Sequence, residues 1–136
     1  QLTIARRATI REQRRGVRFE HDPGLVVIDG GAAVPAFLMR QRDIAIQLMA
    51  PPFRMEPADL AAAGGMLTST TPFTRRVGTA DYAGVRGSFA MGDLVAETQI
   101  LAFDRGGRSF VVVIQSRATE AAAAAALADA VIASAR

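Results

Sequence analysis

The side chains that could do chemistry are few: one histidine, His21, no cysteine, thirteen scattered carboxylates and sixteen basic residues, all arginine. Nucleophilic catalysis of the serine type needs a hydroxyl, a base and an orienting acid within hydrogen-bond reach. Ser88 lies in Gly87-Ser88-Phe89 and not in the strained G-x-S-x-G turn, and no second histidine exists to serve a triad if His21 is structural. His21 sits beside a Pro-Gly turn, and its expected role is that of an ordinary strand-end residue. A single histidine without cysteine cannot build a typical zinc site, so no metal centre is expected. Oxygen ligation of a hard cation by Asp22 and Asp29 is the remaining metal reading; turn aspartates more often bond nearby backbone. Glu20, Asp81 and Glu97 are too scattered to be read as an acid-base pair. The expectation is therefore no catalytic residue and no cofactor.

Phosphate-cradling motifs are equally absent, with neither G-x-G-x-x-G nor G-x-x-x-x-G-K-[ST] in the chain. Gly84-Val85-Arg86-Gly87 does spell the GXXG of a nucleic-acid clamp. That clamp belongs between helices, whereas β patterns flank it here, so it reads as a turn entering a strand.

The strongest polar feature is basic. The first 18 residues hold Arg6, Arg7, Arg11, Arg14, Arg15 and Arg18 against one acid, Glu12, a net of +5, while the whole chain carries only +3. The isoelectric point near 10.9 thus overstates the charge, because arginine alone supplies the cations. An all-arginine, asparagine-free composition points to a GC-rich coding sequence. The six arginines have two readings: a contact surface for an anionic partner, or a solvated edge strand whose charges discourage edge-to-edge pairing. No aromatic residue interleaves with them before Phe19, which argues against a platform for single-stranded nucleic acid. Arg75 and Arg76 could extend the basic face.

These residues must be positioned by one domain of 136 residues, without repeats or linkers apart from the alanine run 121–126. The hydrophobic fraction of 50% excludes global disorder, and no apolar run approaches the roughly 20 residues of a membrane helix. Val17, Phe19 and His21 alternate with polar neighbours, the period of a half-buried strand. Asp22-Pro23-Gly24 predicts a turn with Gly24 at positive φ, and Leu25 to Ile28 a short strand. Residues 36–40 and 44–50 predict a hairpin. Pro57 opens a helix that Gly64-Gly65 ends or weakens, with Met66 and Leu67 able to extend it. After Pro72 the β pattern returns: strands over 73–79, 85–91, 94–104 and 109–117, with turns at 80–84, Gly92-Asp93 and Gly106-Gly107. Thr119 is placed to cap a last helix that lays Ala124, Leu127, Val131, Ile132 and Ala135 on one face. Phe110 to Ile114 is apolar throughout and needs cover on both sides. The predicted class is α+β: an antiparallel sheet with helices on its faces, the C-terminal helix last. Residues 1–16 form a basic strand or arm on the core 17–136.

The order of these elements, from Val17-Arg18-Phe19-Glu20-His21-Asp22-Pro23-Gly24 through Pro57 and Gly84-Val85-Arg86-Gly87 to Ile132-Ala133-Ser134-Ala135-Arg136, resembles PsbP-like α/β domains. Leu25-Val26 stands where that superfamily often has tryptophan, and Phe110 where tyrosine is frequent. The superfamily includes an extrinsic photosystem subunit, a Ran-binding import factor, and bacterial exported proteins and lipoproteins of the DcrB and LpqN kind. The resemblance implies an α/β/α sandwich and a role in binding or assembly, with no shared active-site motif to carry over. A start at Gln1 leads us to expect a processed, exported bacterial protein, periplasmic or at the cell surface, with any signal or lipid-bearing cysteine upstream. A protein partner is expected and nucleic acid is not. Four alternatives stand beside this: a binder of an anionic partner, nucleic acid or acidic lipid, using the six arginines; a cytosolic secretion-effector chaperone; a small enzyme or ligand carrier; and a homodimer.

Overall fold

The computed structural model describes residues 8–40, 43–64, 67–91 and 94–136. Strands β1 (Ile10–Arg14) and β2 (Val17–His21) form a hairpin of their own. Strands β3 (Val26–Ile28), β4 (Ala36–Arg40), β5 (Ile44–Met49), β6 (Leu67–Val77), β7 (Ala80–Met91), β8 (Leu94–Arg105) and β9 (Arg108–Arg117) make one antiparallel sheet in the order β3-β4-β5-β9-β8-β7-β6. Helix α1 (Pro57–Gly64) precedes β6; helix α2 (Ala121–Ser134) follows a single 3-10 turn, Ala118–Glu120. The predicted α+β sandwich is the observed architecture. Among the described residues no helix is long and apolar enough to cross a membrane.

The centre of the sheet is the β8–β9 hairpin. Gly106 and Gly107 turn it with φ of 61° and 74°, the paired positive values that match strand twist and that glycine adopts without Cβ strain. Strand β9 is hydrogen-bonded on both edges, and its side chains divide as the sequence demands. Phe110, Val112 and Ile114 join Leu38, Ile46, Leu48, Leu101 and Phe103 in the larger core. On that face α2 lays down Ala124, Ala128, Val131 and Ile132, all at 0% exposure. Alanines let the helix axis approach the sheet, while Val131 and Ile132 each contribute about 1.5–3 kcal/mol by leaving water. Val17 and Phe19 of the small hairpin join the same core.

The opposite face is thinner. Helix α1, eight residues long, packs Ala61 and Leu60 over Val85, Ile100, Ala102 and Val111. It rests on β6, β7 and β8, so the β3 end of that face stays open and Val26 and Ile28 are exposed.

Several boundaries differ from the sequence expectations. Leu67 begins β6 instead of extending α1, while Met66 lies outside the described residues. Pro72 lies inside β6, which tolerates it as the sheet edge and carries a register shift between Thr68 and Thr71. The turn expected at 80–84 is at Gly78-Thr79, where Val77 pairs with Ala80. Gly84-Val85-Arg86-Gly87 is consequently the interior of β7, not a turn. Gly84 has a packing reason: a Cβ there would run into the Ile100 carbonyl oxygen of the neighbouring strand. Gly24 does not take positive φ. Its turn is closed by Leu25 N–H donating to the Asp22 carbonyl at 3.1 Å and Gly24 N–H to Asp22 Oδ1 at 2.8 Å. Thr119 does not cap α2; it lies in the 3-10 turn, and no side chain caps the helix start. Glu120 instead accepts a 3.0 Å bond from Arg40. The turn at Gly92-Asp93 lies outside the described residues.

Candidate functional site

The small hairpin sorts the arginines of the N-terminal cluster. Its two-residue loop, Arg15-Gly16, takes φ of 48° and 79°. Arginine at a positive φ is unusual, and here a bidentate pair holds it: Nε and Nη2 of Arg15 donate to Asp29 Oδ1 and Oδ2 at 2.9 and 3.0 Å. That pair, and then the Gly31 N–H, hold the Asp29 carboxyl below its ordinary titration range.

Register fixes the two faces. With Arg14 opposite Val17, residues 10, 12, 14, 17, 19 and 21 point inward and 11, 13, 18 and 20 outward. On the inner face Val17, Phe19 and His21 are buried. His21 sets Nδ1 2.8 Å from the Asp22 carbonyl oxygen and Nε2 3.4 Å from Glu12, whose carboxylate also meets Arg14 at 3.4 Å. On the outer face Arg11 stands opposite Glu20, and Gln13 opposite Arg18.

The end of α2 is stitched to this ribbon. Arg18 and Arg136 exchange backbone bonds at 2.9 and 2.8 Å, and Glu20 N–H donates to Ser134 Oγ at 2.6 Å. Beneath, Arg105 Nη1 donates to the Ile132 and Ala135 carbonyls at 2.7 and 2.9 Å, and Nη2 to Tyr82 Oη at 2.8 Å. Its guanidinium lies over the Phe103 ring, 4.9 Å from the centroid. Arg105 thereby satisfies carbonyls that a helix end leaves without partners. Arg108 Nη1 reaches the Gly16 carbonyl at 2.8 Å and ties the hairpin loop to the sheet.

Between the ribbon and the helix end lies a hollow of about 450 Å³ lined by Arg11, Arg18 and Arg136 together with Glu12, Gln13, Phe19, Glu20 and Ser134. Among the described residues no ion pair joins these three guanidinium groups to a carboxylate: Glu12, in the same lining, is engaged by Arg14 and His21. Glu20, the nearest acid in register, accepts from Thr9 Oγ1 at 3.0 Å. A neighbouring hollow bounded by Arg105, Arg108 and Arg136 continues the basic band.

The predicted six-arginine cluster is therefore divided. Arg11 and Arg18 line the hollow, Arg14 and Arg15 are neutralised by Glu12 and Asp29, and Arg6 and Arg7 lie outside the described residues. Arg75 is held by Asp129 through two 2.8 Å bonds, and Arg76 faces Asp81 at 3.5 Å, so neither extends the site. Arg136 was not legible as a member, because only the docking of α2 on β2 brings the 136th residue to the eighteenth. Asp22 and Asp29 serve separate turns. Glu20, Asp81 and Glu97 have different partners, Thr9, Arg76 and Ser88. Among the described residues no group of three or more His, Asp or Glu side chains gathers in one place.

Solved structures locate this arrangement among known folds. The chain matches cyanobacterial PsbP (CyanoP) from Synechocystis sp. PCC 6803 with a TM-score of 0.59 and 15% identity, over 98% of this chain and 94% of that one. The fold is PsbP-like. LpqN of Mycobacterium tuberculosis, described as involved in cell envelope biogenesis, matches with a TM-score of 0.51 and 10% identity over 88% and 81% of the two chains. A Bacteroides thetaiotaomicron VPI-5482 structure matches at 0.62 and 12% identity over 88% of this chain, which spans only 44% of that longer protein. No protein-family model matches the sequence, and no curated protein matches it either. The PsbP-like core is thus shared through architecture, while the arginine-lined hollow is described from this chain's own residues.

Proposed function

We propose that this chain is a non-catalytic binding and assembly module of an exported bacterial protein, and that it recognises an anionic protein surface through the outer face of the β1–β2 hairpin and the end of α2. The observation that carries the reading is the convergence of Arg11, Arg18 and Arg136 on one hollow, three guanidinium groups against the two carboxylates Glu12 and Glu20, whose bonds go to Arg14, His21 and Thr9 instead. Three like charges held together raise the local potential and draw in an opposite charge, most strongly at low salt. Export is supported by the likeness in fold to LpqN, which is described as involved in cell envelope biogenesis. A binding role is supported by the use of the chemically capable side chains in structural contacts: His21, Glu12, Asp29 and Ser88 all have local partners. Single-stranded nucleic acid is the less favoured anion, because Phe19, the hollow's aromatic residue, is buried.

Retention on immobilised poly-glutamate tests the site. The wild-type chain is expected to bind at low salt and elute as salt rises; the variant R11Q/R18Q/R136Q is expected to pass unretained. Arg117→Gln, which removes a single charge at the far end of β9, should leave retention nearly intact, whereas Arg18→Gln alone should weaken it. Wild-type protein that flows through at low salt, or a triple variant that elutes with it, would sink the proposal.

A further inference from the structure

The hairpin that carries the arginines also presents an unpaired backbone edge. A two-residue loop with Arg14 opposite Val17 makes Ile10–His21, Glu12–Phe19 and Arg14–Val17 the hydrogen-bonded pairs. The N–H and C=O groups of Arg11 and Gln13 therefore point away from β2. By the same alternation the backbone groups of Arg18 and Glu20 point away from β1, and there Arg136 and Ser134 receive them. The outer edge of β2 is closed by the end of α2. That of β1 meets no partner among the described residues.

The other edges are guarded. Strand β3 is three residues long, and β6 is interrupted by Pro72 and a register shift. On β1 the open backbone lies directly beside the charged hollow. Its inner face carries Ile10, 43% exposed, at the position where an added strand would cover it.

We infer that an extended acidic segment of a partner polypeptide adds to β1 as a third strand of the ribbon. Its backbone would pair with Arg11 and Gln13. Carboxylates at alternate positions would face Arg11 and, two strand spacings or about 10 Å away, Arg18. A glutamate and an arginine side chain span that distance between them. Apolar residues at the intervening positions would cover Ile10. A second copy of this chain is the poorer occupant. Of the three antiparallel registers of two β1 strands that bond the outward groups, two set Arg11 against Arg11 or Glu12 against Glu12, like charges directly opposite, and the third, Gln13 against Gln13, pairs only residues 12–14 of each strand and brings each Arg15 loop beside the other copy's Arg11. The inference rests on the outer hairpin face being the binding surface.

The test uses the full chain labelled with ¹⁵N and two short peptides alternating glutamate and valine, identical except that one is N-methylated at the residues that would pair with β1. The unmodified peptide should protect the Arg11 and Gln13 amides from hydrogen exchange and bind at least about tenfold more tightly than the methylated one, because backbone bonds are lost without a change of charge. Gln13→Pro removes an outward N–H and leaves the bonds to β2 in place; with unchanged Val17 and Phe19 amide resonances it should lose the same affinity. Equal binding of both peptides, without protection at Arg11 and Gln13, overturns strand addition and leaves the charged hollow standing. If neither peptide binds, strand addition is again overturned, and poly-glutamate retention then decides whether the hollow falls with it. A concentration-dependent dimer abolished by Gln13→Pro would assign the edge to a second copy and overturn the acidic segment.

Discussion

Two sets of arginines flank the end of α2, and the same side chain does opposite work in each. Arg105 and Arg108 direct guanidinium donors to the carbonyls of Ile132, Ala135 and Gly16, so their charge is absorbed into holding helix, sheet and ribbon together. The guanidinium groups of Arg11, Arg18 and Arg136 bond to no described residue, although each arises from an element the first set holds in place. The difference teaches that an arginine-rich composition says little by itself. A half-buried guanidinium must find acceptors or leave carbonyls orphaned, whereas an exposed one left unpaired keeps its full charge for a partner.

Substitutions can separate the two sets, and the largest effect should come from what both depend on. Ile132→Ala removes a fully buried anchor of α2 and should cost about 2–5 kcal/mol in urea denaturation, weakening poly-glutamate retention as Ser134 and Arg136 lose their seat. Arg105→Ala should cost about 1.5–3 kcal/mol by stripping charged donors from the helix end, and Arg105→Lys should recover only part because an ammonium lacks the guanidinium fork. By contrast R11Q/R18Q/R136Q should shift stability by no more than about 0.5 kcal/mol while abolishing retention. If that variant unfolds like Arg105→Ala, the comparison fails.

The smallest effect expected is electrostatic and acid-sensitive. Asp29 is held below the ordinary value of 3.8 by Arg15 and Gly31, and Asp104 by Ser109 and Arg54. A carboxyl depressed in the folded state adds stability above its unfolded value and loses it as pH falls through the folded one. The stability gap between wild type and Asp29→Asn should therefore be constant near neutrality and close only on acidification below about 4. Both groups are exposed, so a gap that widens in acid would mean that the pair does not stabilise this fold.

The sequence makes the sandwich legible because burial leaves a periodic trace. Residues 110–114 had to be covered on both faces, and Val17, Phe19 and His21 had to point inward. Turn positions were harder, since Asp81, Ala83 and Gly84 look like turn residues but are drawn into β7 by pairing with Arg76, Thr74 and Phe73. The need for glycine at residue 84 comes from Ile100, sixteen residues on, which no local pattern displays. The site was half legible. Arg11 and Arg18 belong to the N-terminal cluster, yet the neutralisation of Arg15 by Asp29 and the arrival of Arg136 are tertiary facts.

The central claim is that unpaired guanidinium groups on the outer hairpin face bind an anionic partner. Amide chemical-shift mapping of the ¹⁵N-labelled chain against poly-glutamate at rising salt tests it most directly. Perturbations are expected to centre on Arg11, Gln13, Arg18, Ser134 and Arg136 and to fade as salt is added. Perturbations centred on Arg86 or Arg117, or spread evenly over every exposed arginine, would contradict it.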